Sequence, residues 1–238
     1  MHVIIVAEPG WPAARHRSLL ELADLVETVP PRHRASGYFQ DNCVYLRRVR
    51  TERVLYLDSD TIFFGPVRPL ADRFAEADVA ACANRWVFRR GYDLAYAPEI
   101  EMPLNGGVIL MRHEFCRHWA GLLPERHGSL LTDPLRANLA AWLRSVTPDA
   151  YHRHEFAFSE AAWSGGWRVG LLGPLDCRVL TSGPDHEDPR RWLASTMFHT
   201  YGGQWARCVQ RLRAEPSTPG WLRALLPPEH SPRPGGRA

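Results

Sequence analysis

Short apolar runs alternate with longer mixed stretches along this chain. Val3 to Ala7, Val54 to Leu57, Val79 to Ala83, Val108 to Met111 and Val169 to Leu172 are brief and rich in β-branched and aromatic side chains. Runs of that length without polar alternation predict strands covered on both faces, as in parallel sheets. Leu25 to Val29 and Met197 to His199 add two shorter candidates. Between the runs, Arg15 to Ala23, Ser36 to Val49, Pro66 to Ala77 and Glu155 to Trp163 carry helical spacing. Asp133-Pro134 has the cap-then-proline signature of a helix that runs to about Ser145. Strands alternating with helices predict parallel β-α-β units in a doubly wound α/β sheet, with ligands bound outside the carboxyl ends of its strands. Residues 85–103 hold Trp86, Phe88, Tyr92 and Tyr96 among arginines with no clean period, which predicts a long loop, of the kind that is either functional or disordered.

With 238 residues there is material for one larger domain and a substantial core. We expect that domain to span residues 1–213. Residues 214–238 turn to Pro, Gly, Ser and Arg and predict a largely disordered tail. All 29 residues counted as Lys+Arg are arginine, and the net charge is only +3. These arginines are spread rather than clustered, which argues against nucleic acid as a partner. Cys43, Cys82, Cys116, Cys177 and Cys208 are odd in number and widely spaced, the pattern of reduced thiols rather than a disulfide framework. The amino terminus has no basic region before its short apolar run, and no window approaches the ~18 apolar residues of a membrane span. A cytoplasmic location follows as the expectation, with peripheral attachment to a membrane compatible with it.

The chemistry concentrates where the strand Val54 to Leu57 runs into Asp58-Ser59-Asp60. In an extended backbone both carboxylates point the same way, about 6.5–7 Å apart. They repel unless a proton or cation sits between them, and a divalent ion carrying a diphosphate suits such an oxygen-rich site. Two further clusters stand out. Asn105-Gly106-Gly107 precedes Val108 to Met111, so two glycines bring backbone close to a ligand and a carboxamide is offered to polar hydroxyls. His199-Thr200-Tyr201-Gly202 follows an apolar run, and an imidazole can complete a carboxylate metal site while tilting it from magnesium toward manganese.

Together the three clusters resemble the glycogenin-like (family 8-type) retaining glycosyltransferases. These have a GT-A fold, a Rossmann-like, mostly parallel sheet flanked by helices, and a D-x-D motif. The resemblance runs from about residue 36 to 205 and implies a set of roles. Asp58, Asp60 and His199 would bind Mn2+ or Mg2+, which would hold the diphosphate of a nucleotide-sugar donor, expected to be a UDP-sugar. Ser59, Gly106, Gly107 and Gly202 would line the donor, and Asn105 would hydrogen-bond its sugar. His154 and Glu155 fall where the family has an Asp-Gln pair, on the face of the sugar opposite the leaving group. A carboxylate at Glu155 can attack the anomeric carbon or stabilise an oxocarbenium ion better than an amide. The acceptor is expected to be a hydroxyl of a glycan, a natural product or a lipid-linked molecule.

Two departures from the family are legible. Trp205 stands where the family places a phosphate-binding lysine, leaving Arg207 or an arginine of residues 85–90 to substitute. Val3 to Ala7 matches the family's second strand, so the first β-α unit is expected to be missing or reduced. Two other readings remain open from the residues. An apolar strand followed by paired aspartates also suits a haloacid-dehalogenase-type phosphatase, although no lysine is present to face a phosphoryl group. A degenerate GT-A domain that binds without turnover is the other.

Overall fold

Alternate residues of the apolar strands go to opposite sides of one six-stranded sheet, as both-face burial requires. The computed structural model describes residues 1–6, 25–29, 43–58, 60–83, 102, 104–122, 158–159, 161–180, 184–200 and 204–226. The main sheet contains β1 (His2–Val6), β2 (Leu25–Val29), β3 (Arg53–Asp58), β5 (Val79–Ala83), β6 (Leu104–Arg112) and β7 (Val169–Leu172). Their spatial order is β2-β1-β3-β6-β5-β7. Five of these strands share one direction, and β6 alone runs against its neighbours β3 and β5. The mostly parallel sheet expected from the resemblance is present, with β6 as its one antiparallel member among the described strands. A continuous apolar run reads the same in either direction, because burial on both faces leaves no trace of strand polarity.

A smaller sheet forms from β4 (Thr61–Phe63), β8 (Cys177–Val179) and β9 (Met197–His199), with β9 central. β9 is antiparallel to β4 and parallel to β8. Since β4 follows β3 after a turn, the chain passes from the main sheet to the small one at the aspartates.

Three apolar clusters fill the layers. Ile4, Val54, Tyr56, Ile109 and Met111 face α2 (His113–Leu122), whose Phe115, Cys116 and Trp119 are buried against them. Phe158 closes this layer, edge-on to Phe115 and Trp119 at 5.9 and 5.4 Å between ring centroids. Leu55, Leu57, Val108 and Leu110 point the other way, toward α1 (Arg68–Arg73) and the inner face of the small sheet, where Phe63, Cys177 and Met197 meet them. The outer face of the small sheet, Ile62 and Phe198, packs under α3 (Pro189–Leu193), α4 (Trp205–Ala214) and α5 (Gly220–Leu225). Burying each large apolar side chain in these layers contributes about 1.5–3 kcal/mol.

Helices differ from expectation more than strands do. Pro66 to Ala77 shortens to α1, and within Ser36 to Val49 the described part is a 3-10 helix, Cys43–Arg48. Pro184–His186 is a 3-10 turn, and Asp188 caps α3, accepting from the Arg190 amide at 3.0 Å. α5 lies inside the stretch expected to be tail, with Leu222 and Leu226 buried, so the packed chain runs past residue 213. The helix expected from Asp133, the loop 85–103 apart from Met102, and residues 227–238 lie outside the described residues. Cys82, Cys116, Cys177 and Cys208 are free, buried thiols. Burial pushes Cys116 and Cys208 up to about 12, which keeps them protonated and inert.

Candidate functional site

β3 ends at Asp58 with every residue from Val54 onward buried, so the strand delivers that carboxylate to the carboxyl edge of the sheet. Asp60 lies beyond the strand, in the turn that leads to β4. The two carboxylates therefore converge because the chain turns between two sheets, not because they share one extended strand. That corrects the expected geometry while keeping the pair together.

The turn is stapled to the end of β9. Thr61 stands opposite His199, and the Thr200 amide and hydroxyl donate to the Asp60 carbonyl at 3.1 and 3.3 Å. This places the His199 imidazole beside Asp60, with Nε2 3.1 Å from Oδ1. One ligand atom from each of Asp58, Asp60 and His199 lies within 4.8 Å of the others. Tyr56, two residues before Asp58 on the same face of β3, donates its hydroxyl to Asp58 Oδ1 at 3.2 Å.

His199 is 1% exposed and Asp58 5%. Burial alone would lower the imidazole from its ordinary 6.5. The Asp60 carboxylate at hydrogen-bond distance and the charge of Asp58 overcome that, lifting it to about 9. Without a cation the imidazolium thus neutralises part of the acidic charge, and ligation requires it to lose its proton. Two carboxylates and one imidazole at this spacing suit a divalent ion with ligands at about 2.0–2.2 Å, the nitrogen favouring manganese over magnesium. The donor set fits that group.

Asn105 opens β6 and is fully buried, its side-chain oxygen accepting from the Gly107 amide at 3.0 Å. The register of β3 on β6 pairs Leu57 with Val108, so one step further sets Asp58 beside Gly107. The side of Gly107 where a Cβ would project faces the His199 ring. A Cβ at this position would lie 2.8 Å from His199 Cδ2 and closer still to Cε1 and Nε2.

Trp163 and Trp167 pack against the first apolar cluster. Trp163 Nε1 donates to the Met102 carbonyl at 2.7 Å, and Trp167 lies edge-on to Phe115. Trp205 is buried in the third cluster, and the exposed Arg207 pairs with Asp185. Ser59, His154, Glu155 and Gly202 lie outside the described residues.

Two site neighbours escaped the sequence reading. Tyr56 was legible in principle, because period-two spacing on a strand puts it on the same face as Asp58. Thr200 carried no such signal, since its role depends on which strand β9 pairs with.

No protein-family profile and no curated protein matches the chain. Among solved structures it is similar to an active-site mutant of LgtC, with a TM-score of 0.51 and 13% identity over 95% of this chain and 100% of that one. A structure of the galactosyltransferase LgtC with donor and acceptor sugar analogues aligns with a TM-score of 0.47, 13% identity and the same coverage. The apo bifunctional glycosyltransferase WbbM aligns with a TM-score of 0.51 and 12% identity, over 94% of this chain and 51% of that one. The mixed α/β architecture, a mostly parallel sheet flanked by helices, matches the GT-A glycosyltransferase fold.

Proposed function

We propose that this chain is a metal-dependent glycosyltransferase that moves a sugar from a nucleotide-diphosphate donor to an acceptor hydroxyl. One observation carries the reading. Asp58, Asp60 and His199 converge at the carboxyl end of β3, the edge where open α/β sheets bind ligands, within a GT-A fold.

Asp58, Asp60 and His199 would hold Mn2+ or Mg2+. Bound there, the cation supplies charge neutralisation for the departing nucleoside diphosphate. Tyr56 fixes the Asp58 carboxylate, and Thr200 fixes the backbone of Asp60. Ser59, Gly106, the Gly107 backbone and Gly202 are assigned to the donor, expected to be a UDP-sugar, and Asn105 to its sugar. His154 and Glu155 are assigned to the opposite face, where the Glu155 carboxylate stabilises positive charge at the anomeric carbon and directs retention. The acceptor is taken as a glycan, natural-product or lipid-linked hydroxyl, with transfer in the cytoplasm. Among the described residues no helix is long and apolar enough to cross a membrane.

The phosphatase reading has less support. That chemistry also needs a second acidic pair, and Glu187 is engaged by Trp192 Nε1 at 3.1 Å and Arg178 Nε at 3.4 Å. The deciding experiment is a donor-hydrolysis screen of nucleotide sugars with manganese. Release of nucleoside diphosphate from one donor supports the transferase. Metal-dependent nucleotide binding without turnover on any acceptor would indicate a binding domain, and neither activity would overturn the reading.

A further inference from the structure

We infer that Gly107 is a positioning residue: its missing side chain makes the space in which the His199 imidazole reaches Asp60. This rests on the metal-site reading and specifies what aims its imidazole.

The need for glycine at this position is spatial rather than conformational. Among the described residues the only glycine with positive φ is Gly166, so any L-residue could adopt the backbone of Gly107. What excludes a larger residue is the ring. An alanine methyl would sit 2.8 Å from Cδ2 and nearer to Cε1 and Nε2, where carbon contacts normally begin at about 3.5–4.0 Å. Nε2 is the atom that meets Asp60 Oδ1 at 3.1 Å, so the methyl strikes the functional edge of the imidazole.

Retreat of the ring is constrained. His199 ends the central strand of the small sheet, opposite Thr61 of β4 and Val179 of β8. Its carbonyl accepts from the Leu180 amide at 3.0 Å, and the next residue is bound twice to Asp60. With the backbone held on both sides, the clash is relieved by turning or lifting the ring. Either movement takes Nε2 off Asp60.

Asn105 supports the same arrangement, because its side-chain oxygen holds the Gly107 amide and fixes the floor beneath the ring. The Asn-Gly-Gly segment thus links the main sheet to an imidazole supplied by the small one. Outer partners of this kind typically change metal affinity by about 10–100-fold when altered.

A double-mutant cycle tests the inference, using G107A, H199A and G107A/H199A with two readouts. Mn2+ uptake is followed by the loss of the free-ion signal in electron paramagnetic resonance, and the melting temperature is taken without metal. G107A should weaken Mn2+ binding by about tenfold or more and lower the melting temperature. Once His199 is alanine, adding G107A should change neither, because the methyl enters space the ring has left. If G107A alone does not fold, a folded double variant supports the inference, and failure of both overturns it. Equal losses in both backgrounds, or a lower melting temperature with unchanged Mn2+ affinity, would also overturn it. Wild-type protein that takes up no Mn2+ fails the metal-site reading, and the positioning role with it. Uptake by the wild type with additive losses fails this inference alone.

Discussion

Thr61 and His199 stand directly opposite each other across the antiparallel pair of β4 and β9. This pairing brings an imidazole from near the end of the chain to the aspartate turn. Two carboxylates and the imidazole meet at the seam between two sheets, and each sheet supplies part of the set.

Removing the Asp60 carboxylate should abolish metal-dependent nucleotide binding and donor turnover together. In D60A, calorimetry with UDP and manganese should show no uptake, and the donor screen no product. For the wild type, manganese at a hundred times its Kd should add about 2.7 kcal/mol of stability, removed by a chelator. D60A should melt at the same temperature with and without the ion. Persistence of both binding and turnover would refute the site.

Tyr56→Phe keeps the buried ring and deletes only the hydroxyl that meets Asp58. A hydrogen bond to a charged group contributes about 1.5–3 kcal/mol. Y56F should therefore weaken manganese binding by about tenfold, while far-ultraviolet circular dichroism stays unchanged. Unaltered affinity would make Tyr56 a core residue only.

Acid should loosen the edge where β5 meets β7 through Asp78. The Arg168 guanidinium hydrogen-bonds its carboxylate at 3.1 and 3.2 Å, and the Arg168 amide adds a third bond at 2.9 Å. These partners hold Asp78 below its ordinary 3.8. The unfolded chain therefore takes up this proton at higher pH than the folded one does. The stabilisation is present above the unfolded value and is lost as pH falls through the folded value. Melting curves of wild type and D78N should differ most at neutral pH and begin to converge only as pH falls below about 4. A gap independent of pH would contradict this.

Glu155→Gln tests the proposed back-face carboxylate. If Glu155 stabilises charge at the anomeric carbon, kcat should fall by about 100-fold or more while KM changes little. An unchanged rate would remove Glu155 from the proposed site.

Much of the scaffold was legible because both-face burial writes short apolar runs into the chain. Val54 to Leu57, Val79 to Ala83 and Val169 to Leu172 all lie on strands. α2 was not legible: His113, Glu114, Arg117 and His118 interrupt its buried Phe115, Cys116 and Trp119, hiding the stripe in a ten-residue helix. The reversed direction of β6 was hidden as well, since its apolar run has no polarity.

Covalent order by itself determined which chemical groups were on offer: two aspartates at the mouth of a buried strand, an Asn-Gly-Gly entry to another, and a histidine after a third. Tertiary structure alone decided how they meet. Strand pairing across two sheets sets Thr61 against His199, and only then does the imidazole settle over Gly107 and reach Asp60. Local spacing controls which way a side chain leaves its own strand. Contacts between residues far apart in the chain depend on which strands pair and in what register, and that is settled by packing the whole core.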